Sequence, residues 1–236
     1  MSYMQHSNPF WHGNPVPSEQ LKSRNKEIRR IVGRLAKGES TIITGSFRGG
    51  KTSLLNYLFA PEKQAELYGE EYAKRLIFSD LDICTLDTQY TQDQFWAYIL
   101  QPLQEKMGND SALSNAYQTC QEKGFSTFTL EKLIMQMKER GWRLVLMLDE
   151  FNVLLQHPKL NNGEFFGGLR RLAARSKSAL ALIITSNTSL TQLNQDTKQF
   201  RNSKGSPYFN FMDEIVLGAL PDFYNSFSNL RRKKAY

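Results

Sequence analysis

Between residues 41 and 58 a β-branched run, Thr41-Ile42-Ile43-Thr44, passes without a break into Gly45-Ser46-Phe47-Arg48-Gly49-Gly50-Lys51-Thr52. The helix-favouring Ser53-Leu54-Leu55-Asn56-Tyr57-Leu58 follows directly. This order of strand, glycine loop and helix constrains the fold more than any other feature of the chain. Glycines let backbone N–H groups turn inward and approach an anion with no Cβ in the way. A helix starting at Lys51 adds its own free first-turn N–H groups and the positive end of its dipole. The spacing GxxxxGK[ST], carried by Gly45, Gly50, Lys51 and Thr52, therefore predicts a cradle for phosphate. In it Lys51 reaches the β- and γ-phosphates and the Thr52 hydroxyl coordinates Mg²⁺. Gly45, Ser46, Phe47, Arg48, Gly49, Gly50, Lys51, Thr52 and Ser53 together form the candidate nucleotide-binding stretch. Arg48 holds a free position of the pattern and reads as a solvated side chain. An ordinary glycine-rich turn between strand and helix is the competing reading.

The surrounding pattern sets the fold class. From Asn25, Ile28, Ile31, Val32 and Leu35 recur at i, i+3, i+4, i+7 with basic residues opposite, predicting an amphipathic helix that ends near Lys37-Gly38. Residues 76–83 read as a second strand with Asp80 and Asp82 on one face. Helical faces return at Phe95, Trp96, Ile99, Leu100 and Leu103, and at Leu130, Leu133, Ile134 and Met137. A third strand, Leu144 to Leu148, is unbroken in its apolarity and stops at Asp149-Glu150. After a helix with Phe165, Phe166, Leu169, Leu172 and Ala173, a fourth apolar run, Ala179 to Ile184, stops at Thr185-Ser186-Asn187. Glu214 to Leu217 is a fifth candidate. Strands that alternate with helices and read as solid apolar runs imply a parallel sheet covered on both faces.

In open α/β sheets ligands sit beyond the carboxyl ends of the strands. There Asp149 is placed to hold Mg²⁺ and Glu150 to polarise an attacking water. Acidic residues at strand ends are also common turn formers, which is the alternative. Asn187, at the end of the fourth strand, is a candidate to sense the γ-phosphate, because an amide can bond both a phosphate and the attacking water. A plain turn or cap residue is its alternative. Glu directly after Asp points to the additional-strand, catalytic-glutamate division of the P-loop NTPases. The expected fold is a three-layer α/β/α sandwich with a mostly parallel five-stranded sheet in the order 5-1-4-3-2.

Composition excludes other classes. With 236 residues, 40% of them hydrophobic, the chain can bury a sizeable core. Cys84 and Cys120 show no CxxC or Cys/His spacing, so neither a disulfide framework nor a zinc site is expected. No basic-then-apolar signal pattern and no apolar run of membrane-spanning length are visible, so a cytoplasmic protein without a membrane partner is expected. The net charge of +7 includes four positive charges from Arg231, Arg232, Lys233 and Lys234. The balance is therefore poor support for nucleic-acid binding.

The loop GSFRGGKTSLL, the strand LVLMLDEF and the segment LIITSN resemble the motifs of AAA-like ATPases of the STAND group, near the archaeal-type and origin-recognition-type branches. The segment from Asn8-Pro9-Phe10 to Arg24 is similar to the family's N-terminal stretch, with Ser23 where the family has Gly before Arg24. The resemblance implies an adenine-side role for Arg24. Residues 205–220 resemble the family's approach to its fifth strand, with Ala219-Leu220-Pro221 departing from its Gly-x-Pro junction. The family implies binding of ATP and ADP, slow Mg²⁺-dependent hydrolysis, nucleotide-driven homo-oligomerisation and a signalling or effector partner. It also implies a trans-acting arginine, whose usual position Arg201 resembles, a surface arginine being the alternative. The expected organisation is a leader over residues 1–24, a core over 25–221 and a basic tail over 222–236 without the family's helical lid. Two alternatives stay open: a DNA-associated loader or transposition-type ATPase, and a non-catalytic nucleotide-binding module.

Overall fold

The computed structural model describes residues 21, 24–176, 178–200 and 205–218. Asn8-Pro9-Phe10, Ser23, Arg201, Ala219-Leu220-Pro221 and the basic run from Arg231 to Lys234 lie outside them.

Five strands, β1 (Ser40–Gly45), β2 (Leu76–Asp82), β3 (Arg143–Asp149), β4 (Leu180–Ser186) and β5 (Met212–Leu217), form one sheet in the order β2-β3-β4-β1-β5. This is the expected order read from the other edge. Every pairing is parallel, so all five carboxyl ends emerge on one rim.

Alternation along the central strands divides the core. Leu144, Leu146 and Leu148 of β3 face one side and Val145 and Met147 the other, as the two-residue period of a strand requires. Helices α1 (Asn25–Lys37), α2 (Lys51–Phe59), α3 (Pro61–Tyr68) and α4 (Glu70–Ala73) pack on the Val145 side. On the Leu146 side lie α5 (Gln92–Ile99), α6 (Gln101–Met107), α7 (Ser111–Glu122), α8 (Thr127–Glu139), α9 (Gly163–Arg175) and α10 (Leu190–Asp196). The result is the three-layer sandwich. The face from Phe95 to Leu103 is carried by two helices, because Pro102 has no N–H to continue the first ladder and begins α6 instead. The α1 stripe buries Ile28, Ile31 and Leu35; full burial of such side chains contributes roughly 1.5–3 kcal/mol each.

Gly45 ends β1 in register with Leu217 of β5. A Cβ there would lie 2.9 Å from the Leu217 carbonyl oxygen and 3.2 Å from its Cβ, and a backbone oxygen cannot swing aside. We expect Gly45→Ala to push β5 from β1, costing about 1–3 kcal/mol of stability. For a chain of this size that is roughly 2–4 °C of Tm per kcal/mol. A calorimetric Tm equal to wild type would contradict this close packing.

Candidate nucleotide site

The phosphate loop lies between β1 and α2. Its last residue, Gly50, is the cap residue of α2 and sits at φ +84°, in the left-handed region glycine tolerates. No side chain caps this end of the helix. A helix start without a side-chain cap can offer first-turn N–H groups to a ligand. α2 is anchored from behind by buried Leu54, Leu55 and Leu58, so its amino end is held in place by packing rather than by a cap.

Lys51 is 4% exposed. Its ammonium donates to the carbonyls of Gly45 and Ser46, both at 3.2 Å, and to Asn187 Oδ1 at 2.5 Å. Burying a cation is costly unless it is hydrogen-bonded, and three oxygens meet that requirement here. The Asn187 amide nitrogen in turn donates to Glu150 Oε2 at 2.6 Å. One amide therefore bridges the loop lysine to the carboxylate after β3. Asn187 is itself fixed by its own N–H, which donates to Asn152 Oδ1 at 3.0 Å.

The Thr52 hydroxyl donates to Asp149 Oδ2 at 2.7 Å. Asp149 Oδ1 accepts from the hydroxyl of Thr185, which is fully buried and also receives the Glu150 N–H at 3.0 Å. Thr185 thus joins the ends of β3 and β4, a consequence of the Leu148↔Ile184 register. Glu150 lies at φ +51°, unusual for a residue with a Cβ. Such backbone strain is typical of functional turns.

Burial pushes the Glu150 carboxyl above the usual carboxylate range; the Lys51 ammonium pulls it partly back, while Asp149 and Asp82 push it further up. Asp82 stands opposite Asp149 in the β2–β3 register. Asp80 and Asp82 share one exposed face of β2, as their spacing predicts.

Five of the sequence-predicted residues, Lys51, Thr52, Asp149, Glu150 and Asn187, thus form one hydrogen-bonded group. Ser46, Phe47 and Arg48 are exposed, Phe47 at 75%, with the Arg48 guanidinium 5.8 Å from the Phe47 ring centre. Ser53 is buried on the first turn of α2. Arg24 is buried and donates to the carbonyls of Gly49 and Gly218. Sequence reasoning missed Thr185, Asn152 and Asp82. Thr185 ends an apolar strand, but its meeting with Asp149 depends on the β3–β4 register. The role of Asn152 depends on a turn that no sequence period reveals.

The donors around Thr52 fit Mg²⁺. A hydroxyl and a carboxylate are hard oxygen ligands, and Mg²⁺ characteristically takes one or two protein oxygens and fills its shell with phosphate and water. Among the described residues no cluster of three or more His, Cys, Asp or Glu could hold a metal, and no helix is long and apolar enough to cross a membrane.

No protein-family model matches the sequence, and comparison with curated proteins gives no match. Solved structures do match. A Walker-type ATPase of Pyrococcus abyssi superimposes with a TM-score of 0.54 at 16% identity, over 89% of this chain and 57% of that one. The ORC2 protein of Aeropyrum pernix, in its ADPNP-ADP complexes, gives 0.56 at 16% identity over 89% and 50%. Its ADP form gives 0.54 at 14% over 94% and 54%. The chain spans about half the length of these structures. Its α/β sandwich is therefore the P-loop ATPase fold, in the arrangement these ORC-like and Walker-type ATPase structures share.

Proposed function

We propose that this chain binds ATP with Mg²⁺ at the amino end of α2 and hydrolyses it slowly, as a nucleotide-dependent switch of the AAA type. The observation that carries the reading is the meeting of an uncapped helix terminus with the Lys51–Asn187–Glu150 chain and the Thr52–Asp149 pair. Adenine as the base is supported by the complexes in which the Aeropyrum pernix ORC2 was solved.

In this reading the loop N–H groups and the first turn of α2 receive the phosphate oxygens. Lys51 exchanges neutral acceptors for anionic phosphate oxygens, which attract its ammonium more strongly because both partners are then charged. Thr52 and Asp149 hold Mg²⁺, which supplies neutralisation of phosphate charge when bound. The water oxygen attacks the γ-phosphorus, its proton passes to Glu150, and the bond from the γ-phosphorus to the bridging oxygen breaks with its electron pair left on ADP. Asn187, freed from Lys51 by the phosphates, donates to a γ-phosphate oxygen and keeps Glu150 oriented. Before nucleotide arrives the same amide occupies both groups, so the resting site has its catalytic groups engaged with one another.

The test is phosphate release, together with particle mass by light scattering, in ATP, ADP and no nucleotide. Slow Mg²⁺-dependent release with a larger particle in ATP is expected. Release at the buffer rate would reduce the reading to nucleotide binding, and no binding would remove it.

A further inference from the structure

Arg24 precedes α1 and is 4% exposed, and among the described residues its guanidinium meets one carboxylate, Glu27 Oε1 at 3.2 Å. Its other terminal nitrogen, Nη2, donates to two main-chain carbonyls, Gly49 in the phosphate loop at 3.2 Å and Gly218 just past β5 at 2.8 Å. These acceptors lie 25 and 194 positions away in sequence. A buried cation spent on backbone oxygens fixes where those peptide groups point.

The geometry of the peptide unit gives the consequence. C=O and N–H of one planar trans peptide point in opposite directions. Holding the Gly49 carbonyl on Arg24 therefore turns the Gly50 N–H away from Arg24. The other side of Gly49 is tied as well, its N–H donating to the Ser46 carbonyl at 3.0 Å. Gly50, at φ +84°, accepts the Leu54 N–H on its carbonyl at 3.0 Å. Arg24 adds a restraint on the peptide that precedes it, and α1, packed by Ile28, Ile31 and Leu35, is its rigid base.

Building on the function proposed above, we infer that Arg24 is a positioning residue that presets the phosphate loop for nucleotide and, through its shared Nη2, transmits loop occupancy to the chain leaving β5 at Gly218. A loop that shifts onto phosphate changes the Gly49 half of the pair, and the Gly218 half responds because both use one nitrogen. The same group thereby joins the ligand site to the exit of the edge strand.

Hydrogen exchange of backbone amides, with and without saturating Mg²⁺-ATP, tests the inference on wild type, Arg24→Met and Arg24→Lys, alongside ATP affinity. In wild type, ATP slows exchange both in residues 45–53 and in residues 212–218. In Arg24→Met, which keeps an apolar stem, ATP affinity falls about tenfold, the loss expected for one hydrogen bond to a charged group. At saturation its loop is protected, but protection of 212–218 no longer follows nucleotide. Arg24→Lys, a point charge that serves one carbonyl well and not two, restores part of the affinity and little of the coupling. Should Arg24→Met fail to fold, Arg24→Lys decides, and wild-type coupling in it overturns the inference. Arg24→Met that binds and couples like wild type overturns it outright. Wild type that binds no ATP removes the function proposed above as well, which separates the two failures.

Discussion

Lys51→Met abolishes measurable nucleotide binding at concentrations that saturate wild type, while its Tm stays close to that of the parent. Methionine keeps an unbranched stem in the buried site and removes only the ammonium. In the resting protein that ammonium bonds Gly45, Ser46 and Asn187, all neutral acceptors that water can serve in its place. Bound to a triphosphate it would instead make charged bonds on both sides. Each such bond is worth about 1.5–3 kcal/mol, so each one lost weakens binding tenfold or more. The loss is largest for ATP and smaller for AMP, which lacks the phosphates Lys51 reaches. Equal affinity of Lys51→Met and wild type for ATP would exclude the loop as the binding site.

Glu150→Gln has the second large effect, and it falls on turnover rather than affinity. The amide preserves shape and can still accept from Asn187, but it cannot take a proton. General-base catalysis contributes about 10²–10⁴-fold, and a loss of that size is expected in kcat with Kd for ATP little changed. The pH profile carries the same information. Burial first, with Asp149 and Asp82 adding, sets Glu150 above the ordinary carboxylate range despite the opposing pull of Lys51. The basic form is the active one, so wild-type kcat/KM rises with pH through that elevated range of the free protein, and the residual activity of Glu150→Gln lacks the rise. The stability sign is opposite. A carboxyl raised in the fold favours the folded state at pH below its unfolded value, and this contribution is lost as pH climbs through the raised one. Catalysis and stability therefore pull in different directions at this residue.

Much of this site was legible in the sequence because its parts are local. The strand, loop and helix around Gly45 to Leu58 are contiguous, and a solid apolar strand ending in Asp149-Glu150 announces both its burial and its polar tip. The sheet order followed from the same adjacency of Asp and Glu. What was not legible depends on register and on turns. Thr185 meets Asp149 because β3 and β4 pair with Leu148 beside Ile184, and no property of Thr185 alone signals it. Arg24 reaches two carbonyls, Gly49 and Gly218, that lie far apart in the chain. The resemblance implies an adenine-side role for this arginine; what the sequence does not show is that its guanidinium donates to the loop and to the chain just past β5. α7 went unmarked although Leu113, Ala116, Tyr117 and Cys120 recur at i, i+3, i+4 and i+7 and pack on the core; the polar residues between them make up much of the helix.

The central claim is that one amide, Asn187, links the phosphate-binding lysine to a base that activates water. Rapid-quench measurement of bound ATP and released phosphate, on wild type and Glu150→Gln in parallel at saturating Mg²⁺-ATP, tests it most directly. The account predicts that wild type converts its bound ATP to ADP and phosphate while Glu150→Gln holds the same amount of ATP unhydrolysed. Phosphate release at equal rates from the two proteins would contradict it.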